Sequence, residues 1–157
     1  MPLEDPADLP MDDFPRTRAA RLRAALDAQP DTLPLLQALG QAHIQYLLDN
    51  LAEISSIVHL ARSGPSLHRR WTNSTGVYEP EIIAWTCQRT GCAPEDLYPR
   101  VIAGVFLLAV QITVERWDPT DAGNHLAHLI RQTYETAATL PHAPRPCSPD
   151  PFTADSA

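Results

Sequence analysis

Lysine is missing from this chain of 157 residues: all twelve basic residues are arginine, and they stand against nineteen acidic residues. The formal net charge at neutral pH is therefore −7. Cationic contacts dominate affinity for a phosphate backbone, so an acidic chain without a useful basic cluster is poorly suited to nucleic acid. We expect no direct binding of nucleic acid by this chain alone.

Cysteine is also scarce, and its positions follow no site pattern. Cys87, Cys92 and Cys147 are an odd number without zinc spacing, so they imply neither a disulfide framework nor a metal knuckle. No glycine-rich phosphate loop is present either. We predict a reducing, cytoplasmic location and no cofactor.

No stretch suits export or a membrane. The N-terminal MPLEDPADLPMDDF is acidic and lacks the apolar segment of a secretory signal. The longest apolar run, VIAGVFLLAV at residues 101–110, is shorter than the ~18 residues expected of a membrane span. We therefore predict a soluble protein.

Composition at the two ends predicts disordered tails around one domain. Residues 1–14 hold five acids, no base and three prolines, and residues 141–157 hold five prolines. Residues 15–140 are enough for one core of ordinary size. No alternation typical of strands occurs, so we predict an all-α fold of about five to six helices.

Apolar residues at helical spacing place the first helices. The first, short helix carries four arginines that we interpret as a solvated face: Arg16, Arg18, Arg21 and Arg23. A stripe from Leu33 to Ala61 predicts one long helix, or two with a bend near Asp49 and Asn50. A further stripe follows Gly64 and Pro65, and we expect a kink or break in it between Gly76 and Pro80.

The stretch from Ala93 to Leu140 has the most informative pattern. A helix over about residues 98–116 is apolar almost all the way round, and such a helix must be covered on every side. The next helix is amphipathic, and the short break at Pro119 makes the two helices antiparallel neighbours. We predict a hairpin that packs inside its own domain and meets its copy as a dimeric four-helix bundle. The residues assigned to the dimer interface are Val101, Val105, Leu108, Ile112, Leu126, Ile130 and Tyr134.

The segment EDLYPRVIAGVFLLAV, followed by ERW, a short turn and a last helix, resembles the C-terminal half of TetR-family transcriptional regulators. The segment GPSLHRRW, before a helix ending in RTG, is similar to the branch with an MftR-like C-terminal region. The resemblance covers about residues 15–140 and implies a ligand-binding and dimerisation domain. Such regulators begin with a three-helix DNA-binding unit, for which this sequence has no room before Arg16. We expect a truncated or stand-alone regulatory domain that does not bind DNA by itself.

Polar groups on the apolar faces of the middle helices suit a pocket for a small apolar ligand with one polar end. His43, Tyr46 and Asn50 can share one face, which a second aromatic stripe could oppose. The predicted ligand-binding residues are His43, Tyr46, Asn50, Trp71, Tyr78, Ile82 and Trp85. The alternative is a structural or interaction module in which these side chains are all core, since aromatic residues dominate ordinary cores.

Metal binding and catalysis have weaker support. Asp121, His125 and His128 have a spacing that could offer three ligands to a divalent metal, but an exposed helix face explains them as well. No nucleophile stands beside a base in the sequence. We assign no metal site and no catalytic residue, and a small helical enzyme using His43 or His125 is the least favoured alternative.

Overall fold

The computed structural model describes residues 14–121 and 123–139, and these residues contain helices and connections without a strand. If α2 and α3 are counted as one helix bent at Asn50, there are six α-helices, in agreement with the prediction. The break expected between Gly76 and Pro80 is a 3-10 turn between α4 and α5. The elements in chain order are α1 (Phe14–Asp27), α2 (Leu35–Asp49), α3 (Leu51–Arg62), α4 (Pro65–Ser74), the 3-10 turn (Thr75–Tyr78), α5 (Glu79–Thr90), α6 (Leu97–Arg116) and α7 (Asn124–Thr139).

The breaks between helices fall at residues whose chemistry ends or begins a helix. At the α2–α3 junction the side-chain amide of Asn50 donates to the Tyr46 carbonyl at 2.7 Å. Gly91 follows α5 with a φ of 76°, which glycine adopts without the strain that a Cβ would bring. The Asp121 carboxylate accepts the backbone N–H of His125 at 2.9 Å and so caps the start of α7.

α6 packs against α5 and α7, and its inner face supplies much of the core. Phe106 and Ala109 have no exposed surface, and Ile102 and Ala103 have almost none. By length and composition alone the whole helix could cross a membrane, although the shorter run at 101–110 suggested otherwise. The same test is passed by core helices, and the buried inner face gives α6 that role.

α7 turns its apolar stripe towards α2. Leu126 and Ile130 have no exposed surface and Tyr134 has 3%, so all three are core residues of the protomer. A Cβ at Gly40 would lie only 3.1 Å from Cδ2 of Tyr134, and glycine at this position lets the ring approach α2 closely. These three residues were assigned to the dimer interface, but α2 already covers the stripe that a second copy was expected to cover.

The other four residues assigned to the interface lie on α6 with part of their surface uncovered. Leu108 is 53% exposed and Val101 is 43% exposed, while Val105 and Ile112 are half-buried. Leu97, 70% exposed, extends the same side of the helix by one turn. We call Leu97, Val101 and Leu108 the outer stripe of α6.

The tails predicted for residues 1–14 and 141–157 lie outside the described residues, apart from Phe14, which begins α1. Cys87 has a free thiol, and Cys92 is buried. Cys147 lies outside the described residues.

The connection between α1 and α2 is held by an almost buried arginine of α5. Arg89 donates to the carbonyl oxygens of Pro30 and Leu33 at 2.8 and 3.0 Å, and to that of Gln29 at 3.3 Å. Its guanidinium also lies 5.0 Å from the ring centre of Trp85, within cation–π range. Arg89 therefore supplies hydrogen-bond donors to three backbone carbonyl groups between α1 and α2. These carbonyls lie outside a helix, so they have no helical N–H group as a partner.

Replacing Arg89 tests this contribution. Arg89→Ala should lower the free energy of unfolding by about 2–3 kcal/mol, because hydrogen bonds from a charged donor are lost and their acceptors stay partly buried. Arg70→Ala, on an exposed position of α4, is the matched control and should change stability by less than about 0.5 kcal/mol. Urea unfolding followed by circular dichroism measures both values. Equal stability of the two variants would contradict the role of Arg89.

Candidate functional site

Two hydrogen-bonded pairs of side chains lie next to each other in the core. Oη of Tyr46 is 2.9 Å from Oη of Tyr78, and Nδ1 of His43 is 3.0 Å from Oη of Tyr134. His43 and Tyr46 are three residues apart on α2, which places both on one face of that helix. All four side chains belong to residues that are at most 4% exposed.

Phe106 of α6 packs against both pairs. Its ring centre is 4.5 Å from that of His43 and 5.7 Å from that of Tyr78. Both separations lie in the range at which aromatic rings attract each other in tilted or edge-on arrangements. We call these five side chains, His43, Tyr46, Tyr78, Phe106 and Tyr134, the aromatic cluster. It connects α2, α6, α7 and the 3-10 turn at one place.

Burial keeps the ionisable groups of this cluster uncharged at neutral pH. It lowers the pKa of His43 to about 3, because a charged imidazole would lose its hydration. Burial raises the pKa of Tyr134 well above its usual value. Burial in the first place, and then the neighbouring Tyr78, raise the pKa of Tyr46. Both pairs are therefore hydrogen bonds between neutral groups.

A small cavity of about 30 Å³ adjoins the cluster. It is lined by His43, Tyr46, Trp71 and Tyr78, with apolar side chains of α3 and α6 completing the wall. Such a volume holds about one or two water molecules, whereas sites for small molecules usually measure about 300–1,000 Å³. Binding of a larger molecule here requires part of the wall to move. We call this space the aromatic cavity.

Arg18 of α1 also lines the aromatic cavity, although its residue is only 6% exposed. Its positive charge acts to lower the pKa of Tyr46 and of Tyr78, against the larger effect of burial. The interpretation of Arg18 as part of a solvated face is wrong. The spacing offered a signal, since Arg18 precedes the fully buried Leu22 and Leu26 by four and eight residues on the same helix face.

Three of the predicted ligand-binding residues lie away from the aromatic cavity. Asn50 is at the junction of α2 and α3, where its side chain accepts a hydrogen bond from Arg21 at 2.8 Å. Trp85 faces α1 and donates its indole N–H to the carbonyl of Leu26 at 3.1 Å. Ile82 is fully buried in the core. The structure thus brings together four of the seven predicted residues, and it adds Arg18 and Phe106 to them.

Several wider grooves lie on the surface, and two of them border the aromatic cluster or the aromatic cavity. One, of about 790 Å³, runs between α2 and α7. Its lining includes the exposed polar side chains Gln37, Gln41, Gln45, Arg131 and Glu135. The other, of about 640 Å³, lies between α4 and α6, and it shares Trp71 and Thr75 with the aromatic cavity. We call it the α4–α6 groove.

The three residues considered as metal ligands have other positions in the fold. Asp121 caps α7 through the backbone of His125, and His128 is exposed on that helix. Within residues 14–121 and 123–139, no group of three histidine, cysteine, aspartate or glutamate side chains is placed to hold a metal ion.

Comparison with known protein families identifies the family of this chain's helical domain. The sequence model of the MftR C-terminal domain, a TetR-type C-terminal domain, matches residues 33–140. This range is more than half of the chain and extends from the start of α2 through α7, so Arg18 precedes it. No curated protein and no solved structure gives a significant match.

The neutral state of His43 predicts how stability depends on pH. Its pKa is about 3 in the folded protein and 6.5 as the ordinary value, so the unfolded chain takes up a proton first as the pH falls. The contribution of neutral His43 to the free energy of unfolding is complete above about pH 6.5 and is lost as the pH falls from 6.5 to 3. From pH 7 to pH 5 the wild type should lose about 2 kcal/mol more of unfolding free energy than His43→Gln, which keeps a polar group for Tyr134. Urea unfolding at both pH values measures this difference, and parallel losses would contradict it.

Proposed function

Because the chain belongs to the MftR C-terminal domain family of TetR-type C-terminal domains, we propose that it is the effector-binding and dimerisation domain of a transcriptional regulator. The observation that carries the proposal is the aromatic cavity with His43, Tyr46, Trp71 and Tyr78 in its wall. Aromatic and apolar surface with a few polar groups is the usual composition of a small-molecule site. The effector is therefore a small apolar molecule with one polar end.

The polar end of the effector has identifiable partners in the cavity. The phenol groups of Tyr46 and Tyr78 can each exchange their mutual hydrogen bond for one to a ligand. Arg18 adds guanidinium N–H groups, which donate hydrogen bonds and cannot accept them. A ligand group that accepts hydrogen bonds, such as a carbonyl, matches this set best. His43 is neutral and contributes one ring face and one further nitrogen.

The outer stripe of α6 supports the second half of the proposal, a homodimer. Leu97, Val101 and Leu108 are three large apolar side chains on one side of a helix, each at least 43% exposed. Pairing of this stripe with its copy around a two-fold axis would remove it from water. In this arrangement the two copies of α6 form the interface, and α7 packs against α6 within each copy.

A structural or interaction module without a ligand is the second candidate. It is favoured by the small volume of the aromatic cavity, about 30 Å³, and by the hydrogen bonds that already satisfy the His43 and Tyr46 side chains. In that case the aromatic cluster would only stabilise the core. We propose no catalytic role, because burial keeps both His43 and its partner Tyr134 uncharged and away from solvent.

Binding of N-phenyl-1-naphthylamine, an uncharged fluorophore that brightens in apolar surroundings, distinguishes these two candidates. We expect saturable binding by the wild type and a Kd raised about tenfold or more in Val110→Phe, whose larger ring fills the aromatic cavity. Ile83→Phe enlarges a half-buried residue outside the cavity and is the control. Fluorescence titration measures affinity, and circular dichroism verifies folding. Absence of binding, or equal affinity in all three proteins, would favour the structural module.

Leu108→Glu tests the homodimer. A charge at this exposed site leaves the protomer unaffected but would be buried without a partner in the interface. The dimer Kd should therefore rise about 100-fold, corresponding to roughly 3 kcal/mol. Ala84→Glu adds the same charge to an exposed position of α5 and should leave the dimer intact. Sedimentation velocity over a range of concentrations measures association. A monomeric wild type, or a Leu108→Glu dimer of unchanged affinity, would contradict the proposal.

A further inference from the structure

We propose that Trp71 is the gate of the aromatic cavity, and that an effector enters from the α4–α6 groove when the indole swings out of the wall. This inference rests on the effector-binding function proposed above. It concerns a residue that determines which molecules reach the site, and by which route.

The first support is the position of Trp71 between two spaces. Trp71 and Thr75 line the aromatic cavity on one side and the α4–α6 groove on the other. The cavity holds only about 30 Å³, whereas the groove has about 640 Å³ and is open to solvent. Removal of one side chain from the common wall would join them into a site of the size usual for small molecules, about 300–1,000 Å³.

The second support is the difference in how the aromatic side chains of the wall are held. Tyr46 and Tyr78 are fixed by their mutual hydrogen bond, and His43 is fixed by Tyr134. Trp71 is half-buried, and among the described residues its indole makes a ring contact with His68 at 5.8 Å but no hydrogen bond. Moving Trp71 therefore breaks fewer interactions than moving any other aromatic side chain of the wall.

The third support is the shallow burial of the helix that carries Trp71. α4 has no buried residue at all. Two hydroxyl groups bond to its own backbone, from Thr72 to the His68 carbonyl at 2.9 Å and from Ser74 to the Trp71 carbonyl at 2.7 Å. Such bonds compete with regular helix geometry and bend helices. A helix with little buried surface opens at a low free energy, as elements that admit ligands generally do.

The gate also defines the class of molecule that can enter. The indole leaves an opening bordered by Leu107 on the groove side and by Val110 and Phe106 on the cavity side. Leu108 also lines the groove, at the edge that pairing of the outer stripe would cover, so in a dimer the effector enters on the α4 side of Leu107. These side chains are apolar, so a molecule that passes them loses its hydration at that point. An uncharged apolar body therefore enters first, and a polar group follows or stays in the groove near Arg69 and His68.

Stopped-flow fluorescence with N-phenyl-1-naphthylamine tests the gate. Wild type, Trp71→Ala, Trp71→Phe and Arg70→Ala are mixed with the fluorophore, and the association rate constant is measured for each. Trp71→Ala should raise this constant about tenfold or more, since the barrier to opening is removed, and Trp71→Phe should lie between Trp71→Ala and the wild type. Arg70→Ala changes an exposed residue of the same helix and should match the wild type.

The outcomes separate the gate from the function on which it rests. An association rate constant unchanged in Trp71→Ala, with binding still weakened by Val110→Phe, overturns the gate and leaves the effector site in place. A Trp71→Ala variant that only dissociates faster makes Trp71 a contact residue, which also overturns the gate. Failure of every variant to bind the fluorophore overturns the effector site and the gate together. Circular dichroism of Trp71→Ala and Trp71→Phe verifies that both variants are folded.

Discussion

Between Val101 and Val110, α6 is apolar almost all the way round, and such a stretch has to be covered on nearly every side. Within the described residues, α5 and α7 cover its inner face, where Phe106 and Ala109 are fully buried. α2 in turn covers α7, and Arg62 of α3 donates to the Val114 carbonyl at the end of α6 at 2.7 Å. The outer stripe of α6 is the part of this requirement that the protomer does not meet.

The aromatic cluster is the second consequence of the same packing. Where α2, α6, α7 and the 3-10 turn converge, rings fill the space, and each polar tip has to find a partner away from water. The His43–Tyr134 and Tyr46–Tyr78 pairs satisfy that need with neutral groups. α3 and α6 add apolar side chains to the cavity wall, and α4 adds Trp71, whose indole has no hydrogen bond among the described residues. The cluster is thus rigid on several sides and weakly held on one, which is an arrangement suited to admitting a small molecule.

Helical periodicity is sufficient for the all-α fold and the α6–α7 hairpin, and only together with the family resemblance does it bring His43, Tyr46, Trp71 and Tyr78 into one predicted site. It was insufficient where a residue's role depends on what covers it. Tyr134 lies on an apolar stripe, and the stripe alone does not distinguish α2 of the same chain from a second copy. Asn50 does not share the face of His43 and Tyr46, because it lies at the C-terminal end of α2, where the helix stops. The charge of Arg18 predicts a solvated side chain, whereas its spacing of four residues from the buried Leu22 predicts the inner face of α1.

The lack of buried residues in α4 has a consequence for the timescale on which parts of the fold exchange with solvent. Backbone amides exchange through local opening, and the opening free energy is lowest where little surface is buried. Amides of α4 should therefore take up deuterium before those of α6 around Phe106. The side chains of the aromatic cavity come from both helices, so the cavity joins a part of the fold that opens readily to one that opens rarely.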